Sequence, residues 1–423
     1  LHTAYRRQRQ MCIRDRYVLI LFFFTRVMGG YKVGYLRISD ICLSQLLAIL
    51  ASNVIGYLQI CMIGRDYMPI GPIIMITWAE ILFVVPWAYT VRWLFVRLYP
   101  PRKMLIIYGK YSPDDLIKKV NSRRDKYNIC GAESIAIGYE ELTKRIPDYE
   151  AVVLCDLPAH TRNKILKFCF EKSIRIYVTP KLSDIIISGS ESIHLFDTPL
   201  YLCRNNGFSM DQRIFKRAMD IIGSLIGIII LSPFMLLTAV AIKAYDRGPV
   251  FFKQARLTQD GREFGIIKFR SMCIESEKNG AQLAKKHDDR ITPVGRLIRK
   301  IHFDEIPQLF NILKGDMSIV GPRPERQEIA SQYEEIIPEF RYRLKVKAGL
   351  TGYAQVYGKY NTTPYDKLKL DMLYIENYSF WLDIKILLMT FKVILQKENS
   401  EGIDENQITA LKREIESKTT TKY

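Results

Sequence analysis

From residue 218 to residue 242 the chain is almost wholly apolar, with Asp220 near the start and Ser232-Pro233 near the middle. About 20 such residues suffice for a helix to cross a bilayer, so this run is long enough to enter one. Proline removes a helical hydrogen bond and clashes with the preceding turn, so a kink or break is expected at Ser232-Pro233. Lys216-Arg217 precede the run, and Lys243 and Arg247 close it. Basic flanks stay on the cytoplasmic face, and both flanks here are basic. Segment 218–242 therefore reads as a re-entrant helix-break-helix that enters and returns, in preference to a straight span. Asp220 would then lie near the interface, paired with Arg217 or another basic group.

Three more apolar stretches open the chain. Residues 17–28 form a short one containing Arg26, whereas residues 41–63 and 70–93 are each long enough to span. Trp78, Trp87, Trp93 and Tyr99 suit an interfacial setting. Lys32 and Arg37 precede the second stretch, and Arg92, Arg97, Arg102 and Lys103 follow the third, while Arg65-Asp66 between them is neutral. The positive-inside rule puts both basic loops, and everything after Pro101, in the cytoplasm. Residues 1–16 have no apolar period and no initiating methionine, and Met11 to Tyr17 reads like translated sequencing adapter. They are expected to be an artefact or a truncated start, not a targeting signal. Residues 17–99 then hold about three membrane helices.

A chain of 423 residues exceeds one ordinary core. Its formal charge of +18 suits nucleic acid, anionic lipid and phosphorylated substrates equally well. No recognition-helix or stacking-platform motif appears, so nucleic acid is not an expected partner. The eight cysteines include no Cys-x-x-Cys pair and read as reduced cytoplasmic thiols. In residues 103–203, short apolar strands at 104–108, 151–155 and 174–178 alternate with helical patterns at 114–121 and 162–172. That alternation implies a small parallel α/β sheet. It lacks Gly-x-Gly-x-x-Gly, which favours a structural or regulatory role over nucleotide binding.

The chemistry-bearing residues lie further on. Gly248 to Arg256 reads as a turn and strand, and Lys268 and Arg270 fall on one face of a second strand. Two such cations can grip a diphosphate or simply be solvated. Asp288-Asp289-Arg290 leads to a basic helix through Arg299 and Lys300, and Asp304-Glu305 follow, just ahead of Pro307. Proline there suits a first helical turn, where the dipole would keep Asp304 ionised. An ionised carboxylate can attack phosphorus while its neighbour holds Mg²⁺ against a diphosphate. For a bare Asp-Glu a helix cap is the plainer reading. Arg323, fixed between Pro322 and Pro324 with Arg326 nearby, tips the balance, because a rigid guanidinium fork suits a phosphate.

Residues 211–397 resemble the bacterial sugar transferases that are polyprenyl-phosphate glycosyl-1-phosphate transferases. The resemblance rests on Lys216-Arg217-Ala218-Met219-Asp220, Gly248-Pro249-Val250-Phe251-Phe252-Lys253-Gln254, Lys268-Phe269-Arg270-Ser271-Met272, Asp304-Glu305-Ile306-Pro307-Gln308-Leu309-Phe310-Asn311 and Gly315-Asp316-Met317-Ser318-Ile319-Val320-Gly321-Pro322-Arg323-Pro324. Gly349-Leu350-Thr351-Gly352 and the segment 371–383 add to it. The large members imply four N-terminal transmembrane helices, so that one is expected to be missing from 17–99, a Rossmann-like middle domain (103–203) and a monotopic catalytic domain (211–397) whose re-entrant helix breaks at Ser-Pro, here Ser232-Pro233.

The resemblance also implies transfer of a sugar 1-phosphate from a nucleoside diphosphate sugar, by family habit a UDP-sugar, to undecaprenyl phosphate. This is the first membrane step of exopolysaccharide, capsule or O-antigen synthesis, at the bacterial inner membrane with the catalytic domain facing the cytoplasm. By it Asp304 is the nucleophile and Glu305 helps bind Mg²⁺, while Lys268, Arg270, Arg323 and Arg326 bind phosphate or nucleotide. A non-catalytic scaffold would not need Asp304, Glu305 and Arg323 together. The sugar is unreadable, and a homodimer through the middle domain stays open. Residues 351–356 read as a turn into a strand, 365–378 as a helix with Lys367, Lys369 and Asp371 outward, and 380–395 as an amphipathic helix on the membrane or against the hairpin. The polar tail 398–423 reads as frayed or disordered.

Overall fold

The computed structural model describes residues 2–109, 113–121, 126–203, 207–273, 290–358 and 362–395. Asp288, Asp289 and the tail 398–423 lie outside these. The chain divides into two compact units, Leu1–Pro180 and Lys181–Tyr423.

The first unit opens with helices α1 (His2–Met28), α2 (Ile38–Gly64) and α3 (Gly71–Leu98), α1 packing on α2 and α2 on α3. Both α2 and α3 are long and apolar enough to cross a membrane. Of α1, only residues 17–28 are apolar, fewer than the ~20 a span needs, and the helix begins at His2, well before the expected Tyr17. Leu50, Val54, Leu58, Leu82 and Phe83 point outward, a surface suited to lipid. Glu80, which interrupts the apolar pattern of α3, is answered inside the bundle. Tyr17 Oη donates to its Oε1 at 2.6 Å, and Asn53 Nδ2 to its Oε2 at 2.9 Å.

Beyond these helices lies a four-stranded parallel sheet of order β2-β1-β3-β4: β1 (Arg102–Tyr108), β2 (Tyr127–Ser134), β3 (Ala151–Cys155) and β4 (Arg175–Val178). Helices α4 (Asp114–Asn121), α5 (Tyr139–Arg145) and α6 (Ala159–Glu171) connect them. Leu105, Ile107, Val152 and Leu154 are buried on one face with Leu142, Ile165 and Cys169, and Met104, Ile106 and Val153 on the other. Continuous burial on both faces is why the central strands are unbroken apolar runs.

The second unit begins with α7 (Leu182–Ser188) and an exposed hairpin, β5 (Glu191–Leu195) and β6 (Thr198–Leu202). Then come α8 (Met210–Asp246), the antiparallel pair β7 (Phe251–Leu257) and β8 (Glu263–Phe269), α9 (Pro293–Lys300) and α10 (Gln308–Lys314). After these follow β9 (Ser318–Val320), α11 (Gln327–Ile336), β10 (Gly349–Thr351) parallel to β9, α12 (Tyr353–Tyr357), α13 (Pro364–Glu376) and α14 (Phe380–Ile394). The strand expected at 351–356 is thus mostly the short helix α12, whose first turn is closed by Gln355 N and Val356 N donating to Gly352 O. Leu309, Ile312, Met317, Ile319, Leu368, Met372 and Ile386 form the core, joined by Leu182 and Ile185 of α7.

The break expected at Ser232-Pro233 does not interrupt α8, which stays helical throughout. Pro233 leaves the Ile229 carbonyl without its usual donor, and Ser232 Oγ donates to that same carbonyl at 2.9 Å. Lys216 Nζ pairs with Asp383 Oδ2 at 2.7 Å, and Asp246 at the far end pairs with Arg270. Asp220 does not pair with Arg217. It accepts from Ser318 Oγ and Ile319 N, both at 2.9 Å, while Arg217 donates to the Ile312 and Leu313 carbonyls at 2.8 Å. These carbonyls lie in the last turn of α10, where the helix dipole favours a cation. Ile222, Ile226, Ile229, Phe234, Leu237 and Val240 remain exposed, and α8 too is long and apolar enough to cross a membrane.

Candidate active site

Asp304 and Glu305 lie on a 3-10 turn, Phe303–Glu305, between α9 and α10. Thr292 starts α9 by accepting from Gly295 N at 2.9 Å, and Pro293 occupies its first position. His302, left-handed at φ 54°, turns the chain back, and Pro307 caps α10. Phe303 stacks on Phe269 of β8 with ring centroids 6.2 Å apart, which fixes the turn against that strand.

Lys268 on β8 pairs with Glu305 Oε1 at 2.6 Å. Asn311 of α10 holds that strand by accepting from Ile267 N at 3.0 Å and donating to Gly265 O at 2.9 Å. Arg323 reaches the same Glu305 oxygen at 3.2 Å, and its side chain is 51% exposed, so the guanidinium borders open space. The Gly-Pro-Arg-Pro turn carrying it is pinned by Gly321 N to Thr351 O and Gly349 N to Pro322 O, both 2.8 Å. A Cβ on Gly349 would stand 2.1 Å from Gly321 N, so only glycine allows this approach.

Burial alone would raise Glu305, but Arg323 and Lys268 outweigh it and hold its carboxyl well below the usual range. Asp304 behaves oppositely: burial, then the charge of Glu305, push it up, with Lys268, Arg299 and His302 opposing. That burial and the neighbouring charge outweigh the lowering expected from the helix dipole. Asp304 makes no hydrogen bond or ion pair among the described residues, and Glu305 Oε2 accepts none there either. The site thus offers one carboxylate tied down as an anion and one left free beside it.

Lys268, Glu305 and Arg323 are in contact, with Asp304 adjacent in the chain. Arg270 is elsewhere: it is 8% exposed, paired with Asp246 and lying over Gly248, where a Cβ would meet Nη1 at 2.7 Å. β8 ends at Phe269, so the alternation that put Arg270 beside Lys268 stops short. Arg326 occupies the N-cap of α11, and Ser232 and Pro233 lie within α8. Asn311 and Arg343 also support the site, and so does Asp371, which the sequence reads as outward but which is 1% exposed and 2.8 Å from Arg343. Five of the thirteen residues of α13 are charged, so nothing in its sequence marks Asp371 as the buried one.

Among the described residues no three His, Cys, Asp or Glu side chains cluster as a metal cage. The free oxygens of Asp304 and Glu305 still fit Mg²⁺, which commonly takes one or two carboxylates and completes its shell with water and substrate phosphates.

The family model described as Bacterial sugar transferase matches residues 211–397. The UDP-N-acetylgalactosamine-undecaprenyl-phosphate N-acetylgalactosaminephosphotransferase of Aeromonas hydrophila is 41% identical over 238 residues, 55% of each chain. The UDP-glucose:undecaprenyl-phosphate glucose-1-phosphate transferase of Klebsiella pneumoniae is 41% identical over 50% of this chain and 45% of its own. One of the same name from Caulobacter vibrioides is 40% identical over 44% of this chain and 71% of its own. The chain spans about half the length of the first two of these relatives.

Proposed function

Because the chain belongs to the bacterial sugar transferase family, we propose that it moves a sugar 1-phosphate from a UDP-sugar to undecaprenyl phosphate and releases UMP. The observation that carries this reading is Asp304, unpaired among the described residues, beside a Glu305 held ionised by Lys268 and Arg323. The Asp304 carboxylate attacks the phosphorus that bears the sugar. The diphosphate P–O bond breaks, UMP departs with the bridging oxygen, and an acyl-phosphate sugar remains on Asp304. An oxygen of undecaprenyl phosphate then attacks that phosphorus, which frees Asp304 and gives undecaprenyl diphosphate sugar. Lys268 and Arg323 offset the charge that builds on the phosphoryl oxygens. Glu305, with Asp304, would hold Mg²⁺, which when bound neutralises diphosphate charge.

The lipid tail stays in the bilayer, so the site has to lie at its surface. Lys216 and Asp246, near the two ends of α8, both bond to the second unit, which supports a helix that enters and leaves one face of the membrane. That face is the cytoplasmic face of a bacterial inner membrane, by the basic flanks of the apolar segments. The parallel sheet of the first unit supports a Rossmann-like middle domain. The full chain in detergent, given Mg²⁺, undecaprenyl phosphate and a panel of UDP-sugars, should release UMP with one donor only when the lipid is present. No UMP from any donor, from folded protein, would contradict the proposal.

A further inference from the structure

Residues 321–326, between β9 and α11, have no regular secondary structure, yet Arg323 must keep its guanidinium 3.2 Å from Glu305. What steadies it lies behind the turn. Arg343, in the 3-10 segment Pro338–Lys345, is buried. Its Nη2 donates to the main-chain oxygen of Arg323 at 2.9 Å and lies 2.8 Å from Asp371 Oδ2. Its Nη1 stands 3.6 Å from Glu325 Oε1. Asp371 belongs to α13 and is 1% exposed. One guanidinium thus ties two points of the turn, the carbonyl at 323 and the carboxylate at 325, to a core helix.

Apolar side chains would fill this space at lower cost, because desolvating two charges commonly offsets their attraction. A role in setting geometry is a reason to keep them. Resting on the transferase reading, we propose that Arg343 and Asp371 are positioning residues for donor binding: they hold the Arg323 main chain so that its guanidinium faces the diphosphate, and neither touches substrate.

The charged groups around Asp371 are Arg343 and Glu325 from the turn side and Lys367 one helical turn earlier. Burial lifts the Asp371 carboxyl, Arg343 and Lys367 oppose and Glu325 adds to the rise, leaving it at about 6. Protonation near that pH removes the anion that holds Arg343, so donor binding should weaken on acidification.

The test uses the full chain in detergent with Asp371→Asn and, as the conservative variant, Arg343→Lys. Donor KM, lipid KM and kcat are measured from pH 5 to 8, and UDP binding by calorimetry. Loss of an outer-shell partner typically costs about 10- to 100-fold, so Asp371→Asn should raise donor KM and UDP Kd by about 10-fold or more. Lipid KM should stay unchanged, and the rise of donor KM below pH 6 expected of the wild type should vanish. A merely structural role would lower the active fraction and the Tm but leave the KM of surviving enzyme alone. Wild-type transfer with donor KM unaltered in both variants would overturn the clamp and spare the transferase. Wild-type UDP binding that weakens in both variants, without UMP release from any donor, would uphold the clamp and sink the transferase.

Discussion

Replacing Lys216 by Met tests how α8 is fastened to the catalytic unit. Lys216 Nζ lies 2.7 Å from Asp383 Oδ2, with side chains 8% and 0% exposed. Tyr374 Oη donates to the other carboxylate oxygen at 2.8 Å. Removing one partner of such a pair strands a buried charge and costs ~3–5 kcal/mol. The hydrogen bond from Tyr374 remains, so the lower end, ~3 kcal/mol, is expected for Lys216→Met. For a unit of this size ~1 kcal/mol shifts Tm by about 2–4 °C, so a fall of about 6–12 °C is predicted by calorimetry in detergent. The double variant Lys216→Met/Asp383→Leu removes both charges and should recover most of that loss. A single variant melting within 2 °C of wild type, or a double variant no more stable than the single, would refute the reasoning.

Four further outcomes are expected. Asp304→Asn should abolish turnover while leaving folding and membrane insertion intact, checked by UMP release beside Tm. Arg323→Lys keeps the charge but loses the planar fork, and should lower kcat/KM for the donor by about 10-fold or more, a loss of ~1.4 kcal/mol of transition-state binding. The acid limb of the pH–rate profile should lie above the ordinary aspartate value of about 3.9, since burial and Glu305 raise Asp304. Glu305 has the opposite sign. Its carboxyl is depressed on folding, so its contribution to stability is present above about 4.3 and lost as pH falls towards the folded value. Glu305→Gln should therefore flatten the fall of Tm on acidification.

Apolar length made α2, α3 and α8 legible, and strand-helix alternation made the parallel sheet legible. β2 escaped notice because Tyr127–Ser134 mixes Asn, Gly and Glu at a sheet edge and offers no clean period. The continuity of α8 escaped because a proline's cost depends on what replaces the lost bond, and Ser232 supplies it. Asp304-Glu305 stand out as adjacent carboxylates before a proline, but the depressed carboxyl of Glu305 depends on Lys268 and Arg323, 36 and 19 residues from Asp304 in the chain, and the raised one of Asp304 on its burial. Arg270 beside Lys268 was inferred from strand alternation, which cannot reveal that the strand stops one residue early. Arg343 and Asp371 meet only through the folded core, with 27 residues between them.

The central claim is that Asp304 carries the phosphosugar between donor and lipid. Its most direct test is the intact mass of the purified chain after incubation with Mg²⁺ and the active UDP-sugar, without undecaprenyl phosphate, quenched in acid. The account predicts one added sugar phosphate on the wild type, lost on adding the lipid and never seen with Asp304→Asn. Lipid-dependent UMP release by a wild type that never gains this mass, or an adduct that persists in Asp304→Asn, would contradict it.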